Sequence, residues 1–160
     1  MGFLASLEPL KGAINLTDIG VYTVPALPED LSWDLTPDID GSWATSATLD
    51  LTLFNAAQHF PGGFLKSGCI LGKVTTGGKL GPYLTGAVDG RGTAYGVLKA
   101  SLQVIQPTTG QTKTVSGCAV YRAWAVVSIS RLPYTSGNAA LGGFVDAAAQ
   151  TALAHIHFES

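Results

Sequence analysis

From residue 48 onward the chain is cut into short apolar runs by turns marked with glycine and proline. This spacing confines it to a fold made of short strands. Residues 48–54 alternate apolar and polar side chains, the pattern of a half-buried strand, and His59-Phe60-Pro61-Gly62-Gly63 marks a turn. A strand is predicted over 69–75, a hairpin loop over 76–79, a shorter strand over 80–84 and a loop centred on Asp89-Gly90. Two longer strands follow, over 95–105 and 115–130; the second holds one charge, Arg122, and reads as central. Gly72 and Gly96 fall inside strands, where a missing side chain permits close backbone approach or a bulge. After Gly142-Gly143 the alanines of 144–154 predict a helix whose face is Val145, Ala148, Ala149 and Ala152, and 156–158 can add a last short strand. The expected fold is mainly β: a small barrel-like or sandwich-like body with one C-terminal helix and an extended N-terminal arm.

The arm is read from charge and proline. Residues 1–50 hold eight acids against Lys11 alone, a net of −7, whereas 51–160 hold three acids and eight bases, a net of +5. Pro25, Pro28 and Pro37 interrupt any helix there; a short amphipathic turn is predicted only near 13–19. Domain organisation is therefore expected as an acidic arm over 1–50 and a β-rich body over 51–160. Leu31, Trp33, Leu35 and Trp43 are large apolar side chains in a segment unable to form its own core, so they are the candidate partner-binding residues. The alternative for the tryptophans is burial under the same subunit's body. Removal of residues 1–45 is expected to leave a folded body.

Charged residues make up only 12% of the chain, about half of what soluble domains usually carry, so its surface desolvates cheaply, as a protomer facing neighbours requires. Nucleic-acid binding is not expected, because the bases stand singly without aromatic interleaving. No apolar run reaches about 18 residues, so no membrane helix is expected. The N-terminus has no basic start, so the protein is expected to remain in the cytoplasm where it is made until it joins an assembly.

Chemistry finds little support. Residues 90–145 contain no acid, which leaves no place for paired carboxylates. Residues 72–79 approach a phosphate-binding loop, but the first glycine is one residue out of place and Leu80 stands where Ser or Thr is required. Gly90-Arg91-Gly92 is likewise out of register for a dinucleotide turn. His155 and His157 share a face if the tail is a strand, but two ligands are not a metal site. Cys69 and Cys118 lie in apolar surroundings and read as free thiols, although spacing alone leaves a disulfide open. No catalytic, cofactor or metal residue is assigned.

One stretch carries a resemblance. Lys66-Ser67-Gly68, Leu71-Gly72-Lys73-Val74, Gly78-Lys79-Leu80-Gly81-Pro82-Tyr83, Asp89-Gly90-Arg91 and Ala94-Tyr95-Gly96-Val97-Leu98 follow one another in an order that resembles the head decoration proteins of tailed bacteriophages, typified by that of phage lambda. The likeness covers about 35 residues; nothing in 1–50 matches position by position. It implies a structural protein without enzymatic activity, a homotrimer on the outer surface of the virion. Such a trimer sits at capsid three-fold positions, binds the major capsid protein and stabilises the DNA-filled head. Another virion part, such as a tail- or fibre-associated subunit, is one alternative. A carbohydrate-binding β module with Trp33, Trp43 and Trp124 as its platform is the other.

Overall fold

A computed structural model describes residues 29–37, 43–106, 109–135 and 140–160. The turn expected near 13–19, Pro25 and Pro28 lie outside the described residues. The protein is mainly β, built on a small closed barrel of five strands with two short helices. Around the barrel run β1 (Ala44–Asp50), β4 (Leu80–Pro82), β3 (Ile70–Lys73), β5 (Ala94–Leu98) and β7 (Val115–Tyr121), which returns to β1. Five strands cannot alternate direction all the way round a ring, so one pair must be parallel. That pair is β1 and β4, joined at Leu49↔Leu80, and every other pair is antiparallel.

Outside the barrel, β2 (Phe64–Leu65) pairs with β6 (Leu102–Gln103), and β8 (Val126–Ser128) runs parallel to β9 (His157–Glu159). The helices are α1 (Ala56–His59) and α2 (Ala147–Ala152). Each starts on a side chain that accepts an otherwise orphaned N–H: Asn55 from Gln58 at 3.1 Å and Asp146 from Ala149 at 2.7 Å.

Along β3, β5 and the C-terminal end of β7 the barrel wall is buried on both sides. Leu71, Leu98 and Val120 point into the barrel with Leu49 and Leu80, while their neighbours Ile70, Val97 and Tyr121 point outward into a second core. That second core also takes in Trp33, Tyr83, Val127, Leu153 and Ile156. Double-sided burial explains why these runs are apolar throughout instead of alternating. Gly72 and Gly96 stand where backbones crowd: a Cβ on Gly72 would lie 2.5 Å from the Arg91 carbonyl, and one on Gly96 2.5 Å from that of Tyr121. The β3–β5 register also slips at Leu71/Gly72.

Several expectations need correction. The body begins before residue 51, because Ala44–Asp50 is β1 and pairs with β7 along its whole length. Removing residues 1–45 would therefore cut into the barrel. The strand expected over 95–105 stops at Leu98, and its continuation joins a different sheet as β6. The long strand expected over 115–130 breaks between Tyr121 and Val126, where Trp124 adopts φ +59°. The helix is shorter than 144–154, since Asp146 caps it from extended backbone. Its buried residues are Ala149 and, beyond its end, Leu153, whereas Ala148 and Ala152 are exposed.

Candidate partner-binding surface

The segment 29–36, expected as part of a free arm, is stitched to the body. The Glu29 carboxylate accepts from the Ser101 N–H at 2.9 Å and from its hydroxyl at 3.1 Å. Ser67 Oγ donates to the Asp30 carbonyl at 3.0 Å. The Ser32 N–H on the Asp30 carboxylate, with Lys66 and Arg131 nearby, holds that carboxyl below the ordinary range. Further along, Ser128 N–H donates to the Trp33 carbonyl at 2.8 Å and Leu35 N–H to the Val126 carbonyl at 2.9 Å, so the segment meets β8 in an isolated antiparallel bridge, Asp34↔Val127.

This stitching separates the four candidate residues. Ser32 and Trp33 form a turn closed by Asp34 N–H on the Leu31 carbonyl at 2.9 Å. Trp33 turns inward, 1% exposed, with its indole N–H on Ser67 Oγ at 3.1 Å and its ring edge-on to Tyr121. The expectation that Trp33 anchors on a partner is therefore corrected: its indole fills the subunit's own second core. Leu31 and Leu35 remain outside, 47% and 39% exposed.

Trp43 is 51% exposed and lies against Trp124, 70% exposed, with ring centroids 6.1 Å apart and planes tilted by 43°. Two segments far apart in sequence meet here because Ala44 pairs with Tyr121, which brings the start of β1 beside the end of β7. Trp124 is the single non-glycine residue with positive φ among the described residues. Such a conformation costs a bulky residue about 1–3 kcal/mol and persists only when its surroundings enforce it. Here the Trp124 N–H donates to the His155 carbonyl and the His157 N–H to the Ala125 carbonyl, both at 2.8 Å. The Trp124 ring stays largely exposed there, against Trp43. Sequence reading placed Trp124 only in the carbohydrate-platform alternative, and no local signal announced its backbone.

A cleft of about 200 Å³ lies between the stitched segment and the body, lined by Asp30, Trp33, Lys66, Ser67, Ser101, Arg131 and Pro133. Its two serines are already engaged, with Glu29, with Trp33 and with each other.

The remaining chemistry-bearing groups are held inside the fold. His59 is fully buried; its Nδ1 accepts from Asn55 N–H at 3.0 Å, which leaves Nε2–H to donate to the Gly142 carbonyl at 3.2 Å. Burial lowers its pKa, although the Gly142 and Asn55 carbonyls favour the proton. Both cysteines are free thiols; burial pushes Cys118 up to about 11 and Cys69 higher still, far from a reactive thiolate. Among the described residues, no three His, Cys, Asp or Glu side chains are placed to hold a metal ion. Nor is any helix there long and apolar enough to cross a membrane. No family model, curated protein or solved structure matches the chain.

Proposed function

We propose that this chain is a structural virion protein, a decoration subunit of a tailed-phage head that forms homotrimers at capsid three-fold positions. It carries out no chemical step and uses no cofactor. Made in the host cytoplasm, it binds the major capsid protein on the outer surface of the particle and secures neighbouring capsomers against the pressure of packaged DNA. The observation that carries this reading is the Trp43–Trp124 pair, with Leu31 and Leu35 as further exposed apolar groups on a charge-poor body. A side chain held outward at the expense of backbone strain is preorganised for contact, which reduces the ordering cost of binding. The resemblance over 64–98 gives independent support, and its residues build β3, β4, β5 and the turns between them.

The test adds purified protein to expanded heads stripped of decoration and counts bound copies. Trp43→Ala combined with Trp124→Gly removes both rings and leaves the φ +59° backbone comfortable, because glycine adopts it freely. Two hot-spot tryptophans at about 2 kcal/mol each predict roughly a thousandfold weaker binding with the melting temperature nearly unchanged. Full occupancy by the folded double variant would refute the reading. The same pair favours one second reading, a sugar-binding face without Trp33. Glycan binding that disappears in the double variant, with no binding to heads, would replace the first reading by the second.

A further inference from the structure

The bases stand singly along the chain, yet the strand order of the barrel gathers two of them on one ring. β5 lies between β3 and β7, and each side sends a cation onto Tyr95 of β5. Lys73 Nζ, at the end of β3, stands 5.5 Å from the ring centre; the guanidinium carbon of Arg122, just beyond β7, stands 4.3 Å from it. Both cations are exposed and Tyr95 is half-buried. Glycines leave room for the two stems. A Cβ on Gly78 would lie 3.4 Å from Lys73 Cε, and one on Gly96 3.4 Å from Arg122 Cγ. The two charges are thus held within about 10 Å of each other, one screening length at 0.1 M salt.

Other bases of the body have their counter-charges: Asp50 faces Lys79, and Asp89 closes on Arg91. Among the described residues, no carboxylate lies within 4.0 Å of Lys73 or Arg122, and neither donates a hydrogen bond. The ring attracts both cations through its face and leaves their N–H donors available. A carboxylate fits what remains, because its two oxygens match the fork of a guanidinium and an ammonium adds a second point of attachment. A polyanion such as nucleic acid fits poorly, since the patch offers two charges on a chain of net charge −2. Position points the same way. Arg122 stands two residues before Trp124, so the cations border the exposed Trp43–Trp124 pair as a polar rim borders the apolar centre of a protein interface.

We propose that Lys73, Tyr95 and Arg122 form a carboxylate-reading rim of the docking surface, which pairs with aspartate or glutamate side chains of the coat protein. This rests on the head-binding reading above and names the chemistry of the partner beside the tryptophans. Rim charges act on encounter more than on residence: they speed arrival and make it sensitive to salt, while the rings set the rate of departure.

The test follows association of the protein with stripped, expanded heads over a range of salt. Lys73→Gln combined with Arg122→Gln is expected to slow association about tenfold at low salt and to flatten its salt dependence, with dissociation and melting temperature nearly unchanged. Lys66→Gln removes an exposed charge elsewhere and is expected to leave the rate nearly as it was. A folded double variant that associates at the wild-type rate overturns the proposal, as does equal slowing by Lys66→Gln, which would make net charge the cause. A fluorescein-labelled hexaglutamate peptide separates this proposal from the reading it rests on. Wild type that ignores heads removes the head-binding reading; hexaglutamate bound by wild type and about tenfold more weakly by the double variant still supports an acidic-segment site. No binding of the peptide, equal binding by both proteins, or a preference for single-stranded DNA over the peptide overturns it.

Discussion

Replacing Trp33 by alanine separates the stitched segment from a free arm by a wide margin. The indole is 1% exposed and heads the largest fully buried side chains. Its loss opens a cavity beside Tyr121 and takes a donor from Ser67 Oγ, which keeps its own bond to the Asp30 carbonyl. Large-to-small changes of buried Phe or Trp cost about 3–5 kcal/mol, with about 1 kcal/mol of it from the lost hydrogen bond, so about 4 kcal/mol is expected. For a chain of this size that corresponds to a fall in melting temperature of roughly 10–15 °C. Urea unfolding followed by tryptophan fluorescence and circular dichroism measures it, with an unchanged slope showing that the same surface is exposed on unfolding. Trp43→Ala, removing a half-exposed ring, is expected to cost below about 1 kcal/mol in the same assay. A loss under about 1 kcal/mol for Trp33→Ala, with binding to heads abolished, would refute the packing argument and restore Trp33 as a partner anchor.

Three further outcomes are expected. Asp146→Ala removes the cap of α2 and the acceptor for Tyr83 and Thr85 hydroxyls, a destabilisation of about 1–3 kcal/mol by chemical denaturation. Burial opposes the charge on Asp146, but those bonds outweigh it and lower its pKa. Its contribution is thus present at neutral pH and lost as pH falls through the carboxylate range below 3.8, which acid melts of wild type against the variant will show. His59, whose pKa burial also lowers, takes up a proton less readily folded than unfolded; stability is therefore full above about pH 6.5 and declines below it. Nitrogen-15 spectra should show His59 titrating below 6.5, and titration at or above 6.5 would contradict this. Gly96→Ala forces a Cβ to 2.4 Å from Val120 Cγ1 and should cost on the order of 1–3 kcal/mol, measured by thermal unfolding.

Much of the barrel was legible because its signals are local. Glycine-marked turns, apolar runs and the strand glycines Gly72 and Gly96 each report their own surroundings. What was not legible depended on distant partners. Trp33 and Trp43 stand in the same acidic, proline-broken stretch, yet one is buried because Ser67, Tyr121 and Ser128 receive it, and the other lies half-exposed against Trp124. Period-two spacing would place Leu31, Trp33 and Leu35 on one face. The turn at Ser32–Trp33 breaks that rule, and its one sequence signal is Asp30, whose carboxylate takes the Ser32 N–H. The interruption at Trp124 was invisible for the same reason: the carbonyl that fixes it belongs to His155.

The odd number of staves has a mechanical consequence. Along the β1–β4 seam the tube is sealed by a single rung, Leu49↔Leu80, whereas the β1–β7 side is latched seven times. A wall fastened so unevenly parts first at its lightest join, while β1 stays held to β7 along its other edge. Breathing of this molecule is therefore a widening of one slot, with its inner leucines glimpsing water there before any other part of the wall gives way.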